Sequence, residues 1–282
     1  MTTKPITKSF PHGAACATCP AFRPVERLGV DVEHWDYVVA LAGNPNTGKS
    51  TVFNALTGLR QHTGNWPGKT VTRAEGGFRY ADKRFKLVDL PGTYSLLATS
   101  EDEEIARDFV LFGQPDVTVI VLDATHLERN LNLALQVLEI TDRVVVALNL
   151  MDETERRGLR VDARRLAREL GVPVVPMVAR RGQGISELIE VVHDVASGKI
   201  KPRPRRLGTL GDPSLEKAVA RLTAHVQRTY PKLPNARWVA LRLLEGDPSV
   251  EQALRDGSLS ELAQSTHGAP QIERLRVAEV GA

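Results

Sequence analysis

Residues Gly43-Asn44-Pro45-Asn46-Thr47-Gly48-Lys49-Ser50-Thr51 stand directly behind the apolar run Tyr37 to Ala42. The stretch reads as a strand running into a phosphate-binding loop of the pattern G-x-x-x-x-G-K-[ST], in which successive backbone N–H groups converge on anionic oxygens. Gly43 and Gly48 permit backbone angles and a close approach that a side chain would block. Lys49 is the group to reach β- and γ-phosphates, and the Ser50 hydroxyl is the group to bind Mg²⁺. Lys49 to Leu56 should form the following helix, its positive N-terminus aimed at the phosphates. The loop alone does not separate ATP from GTP, or an enzyme from a switch.

The chain has 282 residues, room for one large domain or two modest ones. With 42% hydrophobic and 25% charged residues it can bury a substantial core. A net charge of +3 is small for this length and gives no reason to expect nucleic acid as a partner. No stretch approaches the ~20 apolar residues that cross a bilayer; Val117 to Leu122 and Val144 to Leu148 are strand-sized. Met1 to Phe10 is polar and lacks an apolar signal core. The expectation is a cytoplasmic, soluble protein, and the two cysteines, close together at one end, imply no disulfide framework.

From 37 to about 197 apolar strands alternate with amphipathic helices. Strands are expected near 37–43, 71–80, 83–90, 117–123, 143–149 and 172–178, with helices near 49–58, 101–112, 129–141, 161–170 and 184–196. The short turn Ala81-Asp82 joins the second and third strands as an antiparallel hairpin; the other strands follow by right-handed parallel crossovers. The expected α/β domain, 37–198, is therefore a mostly parallel six-stranded sheet with one antiparallel edge strand and helices on both faces. Ligand then sits at the carboxyl ends of the strands. Residues 1–36 read as an irregular tail. Residues 199–213, with Lys199, Lys201, Arg203, Arg205 and Arg206, read as a basic linker: a solvated connector, or a contact for acidic lipid or a partner. Residues 214–268 read as a small helical domain, with Leu215, Val219, Leu222 and Val226 at helical spacing, then Trp238, Leu241, Leu244, Val250 and Leu254. A tail, 269–282, follows.

Asn149-Leu150-Met151-Asp152 ends the strand Val144 to Leu148. The Asp152 carboxylate can accept both the N1–H and the exocyclic amine of guanine, a donor pair adenine lacks, so an ATP bound there would leave charge unpaired. Asn149 would brace the neighbouring loop; the bland alternative is that Asp152 only caps a helix. Asp89-Leu90-Pro91-Gly92 follows the strand Phe85 to Val88. Asp89 would hold Mg²⁺ through water and the Gly92 N–H would sense the γ-phosphate; the alternative is a simple turn. Gln61 to Thr72 lies where a GTPase has its first switch loop, which needs a Thr hydroxyl on Mg²⁺. Thr70, behind Gly68 and Lys69, is the first choice, with Thr72 or Thr63 behind it. Trp66 either covers the nucleotide or anchors the loop on the surface. Val178-Ala179-Arg180, then Arg181-Gly182, stands after the last strand where backbone N–H groups would meet the guanine O6. The usual Ser-Ala-Lys start is altered here, which points to faster nucleotide exchange.

Together these motifs resemble translation-factor-type small GTPases, that is, the Ras-like P-loop GTPase fold. Gly43-Asn-Pro-Asn-Thr-Gly-Lys-Ser50, Gly64-Asn-Trp-Pro-Gly68-Lys-Thr-Val71 and Asp89-Leu-Pro-Gly-Thr-Tyr-Ser-Leu96 are closer still to one family: they are similar to the cytosolic part of FeoB, the ferrous iron transporter B. Ser100 to Ala106 and Arg237 to Asp247 fit that family too. The resemblance covers about 37 to 260. It implies a G domain coupled through a helical domain to a membrane pore for Fe²⁺, held at the inner face of the cell membrane by a permease domain or partner. The sequence fits both a piece of a longer protein and a stand-alone relative, and leaves a homo-oligomer open. Transport by these residues alone is not expected, for want of spans.

Where Ras-like enzymes carry a water-orienting Gln after D-x-x-G, this chain has Thr93 and Tyr94. Neither replaces the amide, so slow intrinsic GTP hydrolysis to GDP and phosphate is expected, with Lys49, Thr70, Gly92 and Asn46 as the groups nearest the chemistry. The family resemblance implies a potassium ion instead of an arginine finger, ligated by Asn46 and by switch-loop carbonyls around Gly64 and Trp66. The alternative is that Asn46 only braces the phosphate loop. At the other end, His12, Cys16 and Cys19 have metal-ligand spacing for Zn²⁺ or iron, with His34 as a fourth group. A half-site shared across a dimer or a redox pair also fits, and two inert thiols are the bland alternative. Two other functions compete: an Era-like ribosome-assembly GTPase, whose RNA module with a G-x-x-G loop is missing after 200, and a stand-alone nucleotide-gated adaptor.

Overall fold

Strand β1, Tyr37–Gly43, is apolar along its whole length because it is buried on both faces and paired on both sides. The computed structural model describes residues 24–206 and 213–257, apart from 33, 59–60, 98–99, 232, 234 and 256. Seven strands form one sheet: β1, β2 Gln61–Asn65, β3 Thr72–Tyr80, β4 Lys83–Asp89, β5 Val117–Asp123, β6 Val144–Asn149 and β7 Val174–Pro176. Their order is β2-β3-β4-β1-β5-β6-β7. The five from β4 to β7 in that order run parallel, while β3 is antiparallel to both β2 and β4. Ala81 (φ 46°) and Asp82 (φ 62°) both adopt the left-handed region that a two-residue hairpin turn demands.

The helices are α1 Pro24–Arg27, α2 Lys49–Thr57, α3 Glu101–Asp108, α4 Leu127–Ile140, α5 Met151–Arg156, α6 Ala163–Leu170, α7 Ile185–Ala196, α8 Pro213–Thr229, α9 Ala236–Leu244 and α10 Pro248–Arg255. Strand alternation divides the core. Val39 and Leu41, with Val119, Val121 and Val145, pack under α2 and α7. Val38, Ala40 and Ala42, with Ile120, Leu122 and Leu148, pack on the opposite face under α3 and α4. That second core runs on without a break into Val226, Trp238, Val239 and Val250 of the helical segment. Arg107 of α3, fully buried, crosses the same boundary to Asp247, 3.4 Å away, and pairs with Asp108 at 2.8 Å.

Several expectations need correction. The sheet has seven strands, not six, because Gln61–Asn65 is strand rather than loop: it adds to the open edge of β3, with Gln61 opposite Gly76 and Asn65 opposite Thr72. The helix expected over 101–112 is α-helical only to Asp108 and then widens to a π-helix over Phe109–Gly113. The short helix α5 begins inside the N-x-x-D motif, at Met151, and has no strong apolar pattern to announce it. Leu215 and Leu244 are exposed, so the buried stripe of the helical segment is Val219, Val226, Trp238, Val239 and Val250. Residues 199–206 are not a free connector. Arg203 and Arg205 donate backbone bonds to Gly171 and Leu170 at 2.9 Å, and the Arg206 guanidinium donates to the Leu138 carbonyl at 3.2 Å. His12, Cys16, Cys19 and the tail after 257 lie outside the described residues. Among the described residues, no helix is long and apolar enough to cross a membrane, and no cluster of His, Cys, Asp and Glu could hold a metal ion on its own.

Candidate nucleotide-binding site

The carboxyl ends of β1, β4 and β6 converge on one edge of the sheet, and every loop singled out in the sequence leaves from that edge. After β1 the chain turns through Asn46 (φ 65°) and Gly48 (φ 83°) into α2. Gly48 is required twice over: its backbone is left-handed, and a Cβ there would collide with the Asn149 side-chain nitrogen. Thr47 Oγ1 donates to the Asn44 carbonyl at 2.9 Å and tightens the loop. The Asn44 side chain is buried, and neither its Nδ2 nor its Oδ1 has a hydrogen-bond partner.

Lys49 opens α2. Its Nζ bonds Asp89 Oδ1 at the end of β4 and donates to the Leu90 carbonyl at 2.7 Å. Burial raises the Asp89 carboxyl above its ordinary range, against the pull of the Lys49 charge. Ser50 and Thr51, one and two residues on, are exposed. Gly92 lies against Pro45 of the phosphate loop: a side chain at position 92 would put its Cβ 3.5 Å from the proline. Thr93 is buried, and the exposed Tyr94 ring lies under Arg129 at 4.1 Å.

Asn149 is the joint of the site. It is 2% exposed; its Nδ2 donates to the Thr47 carbonyl at 2.9 Å and its Oδ1 accepts from the Ala179 N–H at 3.0 Å. One amide thus ties the phosphate loop to the Val178-Ala179-Arg180 loop. That loop is closed by the Val178 N–H donating to the Gln183 carbonyl at 3.1 Å, and Met151 N–H donates to the Met177 carbonyl at 3.3 Å. Asp152, on the first turn of α5, is 8% exposed. Its Oδ1 is buried without a partner, while its Oδ2 carries the Arg180 guanidinium, with Arg181 at 3.6 Å and Arg156 at 3.8 Å. Burial opposes the charge on Asp152, but these arginines outweigh it and hold the carboxyl below its ordinary range.

The first switch segment is arranged differently from its sequence reading. Trp66 does not sit on the surface. It is 4% exposed, packs edge-on against Phe109 at 5.4 Å, and has Arg73 over its ring. The Trp66 carbonyl accepts from Lys69 N–H at 3.0 Å, and Gly64 lies in β2 opposite Arg73. Gly68 turns at φ 69°. Thr70 Oγ1 donates to Glu101 at 3.3 Å, and Lys69 Nζ pairs with Glu104 at 2.9 Å. Ser95 Oγ of the second switch segment donates to Glu103 at 2.7 Å. The first turns of α3 therefore hold both switch segments, a role the acidic run Glu101 to Glu104 did not announce. The structure brings together Gly43 to Lys49, Asp89, Gly92, Asn149, Asp152 and Val178 to Arg180. It leaves Thr70 bonded to α3.

A mostly parallel sheet with a G-x-x-x-x-G-K-S loop after β1, an aspartate ending β4 and N-x-x-D after β6 defines a P-loop GTPase G domain. The chain belongs to the FeoB family: the family profile "Ferrous iron transport protein B" matches residues 37–192, and "FeoB cytosolic helical domain" matches 212–275. The Fe(2+) transporter FeoB of Salmonella choleraesuis (strain SC-B67) is 44% identical over 225 residues, covering 74% of this chain and 27% of the relative. The chain thus spans about a quarter of the length of the curated relatives it matches. The cytosolic domain of L. pneumophila FeoB superposes with a TM-score of 0.71 at 38% identity, covering 80% of this chain and 88% of that one. The cytosolic domain of the T. maritima FeoB iron transporter in GDP form II gives 0.70 at 34%, covering 81% and 94%. Membership of this family displaces the ribosome-assembly reading.

Proposed function

We propose that this chain binds GTP and GDP with Mg²⁺, hydrolyses GTP slowly, and serves as the nucleotide switch for ferrous iron uptake through a membrane permease. The observation that carries the nucleotide reading is the Asn149 joint beside the unpartnered Asp152 Oδ1. A rigid phosphate loop and a base-reading carboxylate are held in one frame, and a buried acceptor there calls for a donor. Guanine supplies that donor through N1–H and its exocyclic amine. The solved T. maritima relative in GDP form supports the same base.

Phosphates fit the N–H groups of Asn46 to Lys49 and the N-terminus of α2. Lys49 would leave Asp89 and Leu90 to meet them. Ser50 and Asp89 offer the hard oxygen donors that suit Mg²⁺, and the Thr70 hydroxyl, now donating to Glu101, is the switch-segment oxygen that would join them. When bound, the ion neutralises charge between the β- and γ-phosphates. Thr93 is buried and Tyr94 lies under Arg129, so neither is arranged to orient a water. Slow turnover follows, and a monovalent cation at Asn46, with carbonyls near Gly64 and Trp66, is the proposed supplement. That role needs the β2 segment to move, because the Trp66 carbonyl now closes the turn to Lys69.

Titration with fluorescent GTP and ATP analogues tests the binding. Preference for guanine by about a thousandfold or more is expected; equal affinity rejects the reading. Hydrolysis in KCl against NaCl, with Asn46→Ala alongside, tests the cation, and equal rates in both salts discard it. Co-purification with a membrane permease separates the iron-uptake role from that of a stand-alone adaptor.

A further inference from the structure

Arg180 ends the Val178-Ala179-Arg180 loop, whose expected contact with the base is through backbone N–H groups, yet its side chain takes one oxygen of the base-reading carboxylate. Its guanidinium bonds Asp152 Oδ2 across 28 residues of sequence, from a single 3₁₀ turn, Ala179–Arg181. The chemistry of the competing groups is nearly the same. The N1–C2–N2 edge of guanine is itself a guanidine fragment that presents two parallel N–H donors to a carboxylate, and arginine presents the same fork. Asp152 Oδ1 is free for one donor and Oδ2 is shared, so both cannot be fully served at once. The Arg180 side chain is 47% exposed while Asp152 is 8% exposed, so the arginine can swing into solvent and the carboxylate cannot. Arg181 and Arg156 stand further from the same oxygen, at 3.6 and 3.8 Å, and Glu153 faces Arg180 at 3.9 Å as an alternative acceptor.

We propose that Arg180 is an internal competitor for the guanine edge: it holds the Asp152 carboxylate in the base's place and so weakens nucleotide affinity and hastens release. This deepens the guanine reading above and rests on it. The competitor has a defined strength. A half-exposed, charge-assisted pair on a fixed carboxylate lies between surface pairs and buried hydrogen bonds to charge, which makes its removal worth about threefold to tenfold in affinity. Most of that should lie in the dissociation rate.

The test is stopped-flow release of a fluorescent GDP analogue from the full chain. Arg180→Ala should release it about three- to tenfold more slowly, and Arg180→Lys, which keeps the charge but loses the fork, should fall between. Wild type should approach Arg180→Ala as NaCl rises, because screening weakens the pair. In the Asp152→Asn background, measured with the xanthosine analogue, Arg180→Ala should change release by less than about twofold, since the charge it competes for is gone. Urea unfolding of each variant tracks folding. Unchanged or faster release from Arg180→Ala, or an effect that survives Asp152→Asn, overturns the proposal; faster release would mean that Arg180 touches the nucleotide. If wild type binds no guanine nucleotide, or Asp152→Asn gains no xanthine preference, the underlying reading fails instead.

Discussion

Replacing Asn149 by alanine removes two buried bonds at once. The Thr47 carbonyl and the Ala179 N–H, held at 2.9 and 3.0 Å, lose the Asn149 side chain as a partner in a site where Asn149 is 2% exposed. Each backbone group left unpaired costs about 1–3 kcal/mol, so the upper sum is roughly 6 kcal/mol. Relaxation and water entering the gap reduce this to an expected loss of about 2–4 kcal/mol, a large share of the ~5–15 kcal/mol typical of a domain. The same change frees the phosphate loop from the Val178 to Arg180 loop, and GDP affinity should fall about 10- to 100-fold. Urea unfolding followed by tryptophan fluorescence gives the first number and titration with a fluorescent GDP analogue the second. A variant within about 0.5 kcal/mol of wild type, with unaltered GDP affinity, refutes the role of Asn149 as a joint. Asn149→Asp refines the test: it still accepts from Ala179 but sets an oxygen against the Thr47 carbonyl, which pushes its carboxyl pKa up. Its stability should therefore fall as pH rises through that raised value.

Other outcomes follow from single contacts. Trp66→Ala should cost about 3–5 kcal/mol in urea unfolding, because the ring fills a core site against Phe109 and Arg73; a loss under about 1 kcal/mol would return Trp66 to the surface. Arg107→Ala leaves Asp108 and Asp247 facing each other across a buried gap, and should destabilise the chain by about 3–5 kcal/mol in thermal unfolding. Because burial raises the Asp89 carboxyl, the folded state holds that proton to higher pH than the unfolded chain does. The stability that Asp89 contributes is full below about pH 4 and declines as pH rises through its raised folded value, so wild type should lose ground to Asp89→Asn as pH rises from about 4. A gap that widens in favour of wild type over that range contradicts the sign. Glu101→Ala should free the Thr70 hydroxyl and raise Mg²⁺-dependent GTP affinity a few-fold, measured by titration with and without Mg²⁺.

How much of this was legible depended on range. The phosphate loop and N-x-x-D could be read because each is contiguous and follows a buried strand whose apolar run is unmistakable. Strand β2 could not, because Gln61-His-Thr-Gly-Asn65 has no alternation of apolar and polar residues; its order comes from the ladder that β3 lends it. Trp66 between glycines was conspicuous, but its partner Phe109 is 43 residues away, and only the fold brings the two together. The same holds for Arg180 and Asp152: each residue was singled out, and neither signalled the pairing. The helix expected from 101 does begin there, with Ser100 accepting from the Glu103 N–H at 3.3 Å and four acidic residues in its first turn. Their second use, on Lys69, Thr70 and Ser95, depends on where the switch segments come to lie.

The central claim is that Asp152 reads guanine in a nucleotide switch. Its most direct test compares GDP and XDP binding to wild type and to Asp152→Asn by titration of the purified chain. Exchanging the carboxylate for an amide reverses which partner it can satisfy, so wild type should prefer GDP and the variant XDP, each by about a hundredfold or more. A variant that binds GDP as wild type does would contradict the assignment of Asp152 and, with it, the guanine identity of the ligand.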